Sequence, residues 1–163
     1  PFRKPRANSV PLRNIAATLL TMDAVFVSGG NTKSALGVWR EWGIDIALRA
    51  AYESGVLISG MSAGASAWFE AGFSDSYGDG YARLSCLGWV DGGFCPHFNG
   101  EKGGRAARLL EAVNAREMPS TLAVDDYAAV LLEDEQPRRV FSWRENSGAY
   151  RITPQEVTRI LSA

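Results

Sequence analysis

A run of aliphatic and β-branched residues that ends abruptly at a serine flanked by glycines constrains this chain more than any other stretch in it. Val56-Leu57-Ile58-Ser59 reads as a buried strand, and Gly60-Met61-Ser62-Ala63-Gly64 leads directly into alanine-rich sequence able to start a helix. Such a junction needs small residues: Gly60 and Gly64 let strand and helix approach without side-chain clash, while Ser62 is held in a strained turn with its hydroxyl directed away from the sheet. The helix amino terminus then lies beneath the serine. Its free N–H groups and the positive end of its dipole can stabilise an oxyanion. The same pattern also serves any tight strand-to-helix junction, so the role of Ser62 depends on what the rest of the chain supplies.

A second junction of the same kind lies upstream. Ala24-Val25-Phe26-Val27-Ser28 is an apolar run of strand length, followed by Gly29-Gly30-Asn31-Thr32 and a helical pattern through Ala35, Leu36, Val38 and Trp39. Gly43 interrupts that helix, Asp45 recaps it, and Ile46, Leu48, Ala51 and Tyr52 continue it toward Gly55. Strand, glycine turn, helix, strand, serine turn, helix is a parallel βαβ arrangement, which places both turns at the carboxyl ends of their strands, facing one crevice. Before this unit, Ser9 and Pro11 open a helix carrying Leu12, Ile15, Ala16, Leu19 and Leu20. After it, the serine-turn helix is expected to run through Trp68, Phe69 and Glu70, and Gly72 to Tyr81 reads as a packed or binding loop. Short β segments follow over Leu84 to Val90 and Gly92 to Phe98, then a helix from Arg105 to Val113. Strands are expected at Leu122 to Val124 and Ala128 to Leu132, on either side of Asp125-Asp126, and at Arg139 to Trp143. Thr153-Pro154-Gln155-Glu156 has the form of a capping box opening a last helix through Val157, Ile160 and Leu161.

With 163 residues, 46% of them hydrophobic, and no repeat or low-complexity tract, the chain reads as one α/β domain over residues 1–163. A net charge of −1 and a pI near 5.9 give no electrostatic ground for nucleic acid or an anionic membrane as partner. No apolar run approaches the ~20 residues of a transmembrane helix and no signal-peptide pattern opens the chain, so cytoplasm is the expected location. Cys86 and Cys95 form no metal-spacing motif and are expected to stay reduced; neither metal nor cofactor is implied. The opening Pro1-Phe2-Arg3-Lys4-Pro5-Arg6, with no initiator methionine, reads as the start of a chain that begins partway through a longer product.

A serine hydroxyl attacks poorly until a base takes its proton, and histidine has the pKa for that task. His97, after Pro96, is the one histidine of the sequence. An acid to orient its imidazole would come from Glu70, Asp75, Asp79 or Asp91, in the chain order Ser, acid, His.

Ser28-Gly29-Gly30-Asn31-Thr32, Gly60-Met61-Ser62-Ala63-Gly64-Ala65, Phe73-Ser74-Asp75-Ser76 and Pro96-His97-Phe98 together resemble the peptidase E family, which comprises serine peptidases including aspartyl dipeptidases and, more distantly, cyanophycinases. The resemblance runs from about Val10 to the carboxyl end. It implies a doubly wound, mostly parallel sheet with flanking helices, akin to class I glutamine amidotransferases but with serine in place of cysteine, and without the strands that family members carry before Val10. It further implies Ser62 as nucleophile, His97 as base, Asp75 as orienting acid, and backbone N–H groups of Gly30 and Ala63 as the oxyanion hole. Arg105 would hold an acidic substrate side chain, Asp125 would receive the substrate's amino group, and Asn31 would contribute to substrate binding. Between Ser66 and Asp75, Trp68-Phe69-Glu70 departs from the dipeptidase pattern.

The leading expectation is a serine exopeptidase or dipeptidase that cleaves small peptides, with amino-terminal Asp as a candidate preference, through an acyl-enzyme. An esterase or amidase with the same triad, and a catalytically inactive binding module, are the competing readings. A homodimer is compatible with the sequence.

Overall fold

A computed structural model describes residues 14–100 and 104–160. The expected cap at Ser9, Pro11, the basic opening segment and Leu161 lie outside the described residues.

The elements run in the order α1 (Ile15–Leu19), β1 (Ala24–Val27), α2 (Thr32–Glu41), α3 (Ile44–Glu53), β2 (Leu57–Gly60), α4 (Ala63–Ser66), β3 (Phe69–Ser74), β4 (Ala82–Ser85), β5 (Val90–Cys95), α5 (Arg105–Asn114), β6 (Thr121–Val124), β7 (Ala128–Glu133), β8 (Gln136–Ser142), β9 (Ala149–Ile152) and β10 (Val157–Ile160). The expected βαβ unit is present: β1 and β2 pair in parallel, Ala24 opposite Leu57 through Val27 opposite Gly60. Gly43 breaks the crossover helix in the left-handed region, at φ 63°, and Asp45 sits in the first turn of α3, where a carboxylate suits the helix dipole.

A six-stranded sheet follows in the order β10-β9-β6-β5-β3-β4. Its centre is parallel, β3 with β5 and β5 with β6, while β4, β9 and β10 add antiparallel edges. Parallel strands have to be covered on both faces, and the burial pattern follows that rule. Phe69, Phe94 and Val124 face a core shared with Leu36, Ala47, Leu48 and Trp68, whereas Ala71, Phe73, Cys95 and Ala123 face a second core built on Leu109 and Val113 of α5. Trp39, Trp68 and Trp89 stack in series, with ring centroids 5.6 and 5.0 Å apart. The β7–β8 hairpin forms a sheet of its own. No helix among the described residues is long and apolar enough to cross a membrane.

Two expectations are corrected. The helix after the serine turn stops at Ser66, and Phe69 to Ser74 is a central strand rather than helix followed by loop. The helical reading fails because Phe69, Ala71 and Phe73 must reach two different cores, and Gly72 lies so close to Ser66 and Cys86 that a Cβ there would stand 3.3 Å from each. Glu70 accordingly sits on a strand. Secondly, Thr153 to Glu156 closes a β-hairpin instead of opening a helix: the Thr153 N–H donates to the Glu156 carbonyl at 2.9 Å, and Val157 to Ile160 pair with Ile152 to Ala149. The capping-box signature is local, and Val-Thr-Arg-Ile favours extension once an edge strand offers pairing. In addition, no element is expected at β9, where Ala149 and Ile152 are buried while Tyr150 and Arg151 between them are not, a pattern without strand alternation.

Candidate active site

Ser62 stands between β2 and α4 at φ 55°, ψ −117°, a conformation that a residue with a Cβ adopts only under constraint. The constraint comes from close backbone packing on both sides. A Cβ on Gly60 would lie 2.3 Å from the Gly64 carbonyl oxygen, and one on Gly64 would lie 2.2 Å from the Val27 carbonyl oxygen. The Met61 N–H donates to that same Val27 carbonyl at 2.9 Å. The neighbours are backbone atoms that cannot rotate away, so Gly64→Ala is expected to cost at least ~3 kcal/mol, seen as a fall in Tm of about 6–12 °C. Gly37→Ala is the control: that position lies within α2 with open space around it, and the change should stabilise by about 0.4–1 kcal/mol. Equal thermal unfolding of the two variants would contradict this account of the turn.

The upstream glycine turn meets the serine as the βαβ arrangement requires. A Cβ on Gly29 would approach the Ser62 Cβ to 3.2 Å and its Oγ to 3.6 Å. Gly30 follows with φ 153°, and Ala63 is the first residue of α4, where helix geometry offers its N–H no acceptor within the helix.

His97 follows β5, itself at a positive φ of 54°. Its own carbonyl accepts the Gly100 N–H at 2.9 Å, and the next N–H, from Phe98, reaches the Val124 carbonyl at 3.0 Å. This turn directs the imidazole across to the serine: Nε2 lies 2.9 Å from Ser62 Oγ. The other ring nitrogen, Nδ1, is hydrogen-bonded to the carboxylate of Asp126.

The acid on the imidazole is therefore Asp126 and not Asp75, a correction to the expected chain order. Asp75 is exposed in the turn after β3, where its carbonyl accepts the Gly78 N–H at 2.9 Å. Glu70 is occupied on β3, accepting from Arg83 of β4 at 2.9 Å and from the Gly92 N–H of β5 at 3.4 Å. Asp79 and Asp91 are exposed and make no contact with His97. Asp126 follows β6 directly, so the adjacent parallel strands β5 and β6 deliver histidine and acid from their carboxyl ends. Asn99 secures the arrangement by accepting the Asp126 N–H on its side-chain oxygen at 2.8 Å. Asp126 was visible in the sequence as half of the Asp125-Asp126 pair between two strands; Asn99, two residues after His97, carried no signal.

The remaining expected residues have partners of their own. Asn31 caps α2, its Oδ1 accepting the Ser34 N–H at 2.9 Å while its Nδ2 donates to the Ser76 carbonyl at 3.0 Å. It thus ties α2 to the turn after β3, and both ends of its amide are spent within the protein. Asp125 is 5% exposed and accepts the Gly148 N–H at 2.9 Å. Burial raises its carboxyl above the usual range, partly offset by the Gly148 N–H and the Tyr150 hydroxyl. It braces the start of β9 rather than facing solvent, unlike the amine acceptor that the resemblance implied. Arg105 is half-buried, with Nη1 donating to the Pro96 carbonyl at 2.9 Å and the guanidinium 4.4 Å from the centre of the Tyr81 ring. Cys86 and Cys95 are free, buried thiols pushed up to about 11 and about 12 by desolvation, which keeps both in the poorly nucleophilic thiol form. Among the described residues, no group of three His, Cys, Asp or Glu side chains could hold a metal ion.

A serine hydroxyl, an imidazole and a carboxylate in hydrogen-bonded series, beside an unpaired helix-start N–H, can carry out acyl transfer. The model of peptidase family S51 matches residues 6–140. The uncharacterized peptidase YgaJ of Bacillus subtilis (strain 168) is 39% identical over 146 residues, which cover 90% of this chain and 63% of that protein; the chain thus spans under two thirds of its relative's length. A crystal structure of a protein provisionally named peptidase E from Listeria monocytogenes EGD-e superimposes with a TM-score of 0.63 at 19% identity, over 83% of this chain and 67% of that one. A peptidase from an acI-B1 Actinobacterium gives 0.67 at 13% identity, over 93% and 62%. At these identities the two structures show a common mixed α/β fold.

Proposed function

This chain belongs to peptidase family S51, and from that premise we propose that it hydrolyses small peptides as a serine-type exopeptidase through an acyl-enzyme on Ser62. The observation that carries the reading is the 2.9 Å contact between Ser62 Oγ and His97 Nε2 on a strained turn. In this mechanism His97 takes the serine proton as Oγ attacks the scissile carbonyl, and the N–H groups of Ala63 and Gly30 receive the oxyanion. His97 then returns the proton to the leaving amine, and a water activated the same way releases the acyl group. Asp126 holds the imidazole in the tautomer that leaves Nε2 free to accept. Helices covering both faces of a parallel-centred sheet also support a doubly wound architecture related to class I glutamine amidotransferases.

A dipeptide panel run beside simple esters, with fluorophosphonate labelling of Ser62, tests the proposal. Dipeptide turnover together with labelling supports it; labelling with ester turnover alone would replace it with an esterase.

We extend the proposal to a preference for amino-terminal Asp. Arg105 supports it, being a half-buried cation near the histidine loop with a carbonyl and an aromatic face against it and, among the described residues, no carboxylate paired with it. A guanidinium in that setting pairs bidentately with a substrate carboxylate. Arg105→Met is expected to lower kcat/KM for Asp-x dipeptides by about 2–4 kcal/mol and to leave Leu-x dipeptides nearly unchanged. Equal losses on both series would make Arg105 a support for the Pro96 carbonyl and nothing more.

A further inference from the structure

Beyond the serine site, a groove of about 490 Å³ runs between one face of α2 and β4, with Lys33, Gly37 and Arg40 on one wall, Arg83 and Ser85 on the other, and Tyr77 at its end. Among the described residues three cations line it and no carboxylate does. On a chain of net charge −1 this is a local concentration of positive charge, unrelated to the overall balance.

Each cation is also held in place. Arg40 donates through Nη2 to the Cys86 carbonyl at 2.9 Å, Arg83 is paired with Glu70 at 2.9 Å, and the Lys33 ammonium stands 5.5 Å from the centre of the Tyr77 ring. Even after Glu70 is set against Arg83, two positive charges remain in excess. Groups fixed before a ligand arrives lose little side-chain entropy on binding, and each guanidinium keeps further N–H donors beyond the one used internally.

We propose that this groove is a binding site for anionic groups, carboxylate or phosphate, separate from the Ser62 site and independent of the peptidase reading. From Lys33 to Arg40 the helix rises about 10 Å, the length of roughly three extended residues, so an acidic peptide segment spans it. The groove is coupled to the serine side through one serine. Ser76 Oγ accepts the N–H groups of Thr32 and Lys33 at 3.1 and 3.5 Å, its carbonyl accepts from Asn31, and Tyr77 follows it. An anion on Lys33 therefore bears on the helix that begins just after the Gly29-Gly30 turn.

Titration calorimetry on the full chain carrying Ser62→Ala, which removes turnover, reads binding directly. The probes are triglutamate blocked at both ends, whose charges are side-chain carboxylates alone, and inorganic phosphate. Saturable binding of the peptide, weakened at least tenfold by Lys33→Met with Arg83→Met and weakened by added salt, is the expected result. Phosphate binding with the same dependence, without peptide binding, supports the site with a free anion as its ligand. Both substitutions are at the surface; circular dichroism checks the fold, and Lys33→Glu alone should weaken binding in the same direction. No saturable binding of either probe, or binding indifferent to these substitutions, overturns the proposal. Because the assay involves no hydrolysis, its outcome is distinct from that of the peptidase reading.

Discussion

Ser62→Ala is expected to lower kcat by about 10³-fold or more, with His97→Ala falling as far and the double variant little further. The reasoning is that nucleophile and base act as one unit. Without the hydroxyl there is nothing for the imidazole to deprotonate, and without the imidazole the hydroxyl stays protonated near neutral pH. The 2.9 Å spacing makes the coupling direct rather than water-mediated. On the proposed mechanism the oxyanion stabilisation assigned to Ala63 and Gly30 survives in each variant, so the losses should not add. Steady-state kinetics on the best dipeptide of the panel, with thermal unfolding as a check on the fold, decides the matter. Near wild-type turnover in either single variant would remove the serine mechanism, and losses that multiply in the double variant would separate the two residues' roles.

The second large effect is expected at Asp126. Asp126→Asn keeps the shape of the side chain but can present an N–H to Nδ1, favouring the tautomer whose proton sits on Nε2, where the serine needs an acceptor. A buried acid in this role is worth about 10⁴ in kcat, and the side chain of Asp126 is 44% exposed, so solvent can substitute for part of it; a loss of about 10²–10⁴ is expected. Asp75→Asn and Glu70→Gln should change kcat by less than about threefold, the first because the residue faces solvent and the second because it leaves a surface ion pair with Arg83. A loss at Asp75 matching that at Asp126 would return the orienting role to the turn after β3.

The difference between those two acids shows where reading the sequence succeeds and where it stops. Ser62 and the turn around it were legible because the small residues that its close packing demands, Gly60 and Gly64, stand within two positions of it in the sequence. The β1–α2–α3–β2 unit was legible for the same reason, its apolar periods and glycine breaks being written in sequence order. Asp126 was not, because its closeness to His97 depends on β5 and β6 being parallel neighbours, a pairing between residues 28 positions apart, Gly93 with Thr121 through Cys95 with Ala123, with α5 between them. Restricting the search to carboxylates between serine and histidine also discarded it in advance. Likewise Phe69 to Ser74 reads as helix and loop in sequence because its residues serve two cores at once, and only the assembled sheet reveals both.

The two ends of the Ser62–His97 hydrogen bond are mounted on sheets that no ladder among the described residues joins: the serine follows β2 of the β1–β2 pair, while the histidine follows β5 in the six-stranded sheet. What holds them in register is α4, which runs from β2 into β3, the hydrogen bonds from Asn31 and Thr32 to Ser76, and the Trp39, Trp68 and Trp89 rings bridging α2 to the segments flanking β3 and β5. A slip of about an ångström along this seam would part the oxygen from the nitrogen while every strand stayed paired. The Ser62–His97 spacing is therefore sensitive to shear between the two layers, and a substitution that loosens the tryptophan stack is expected to lengthen it without melting any secondary structure.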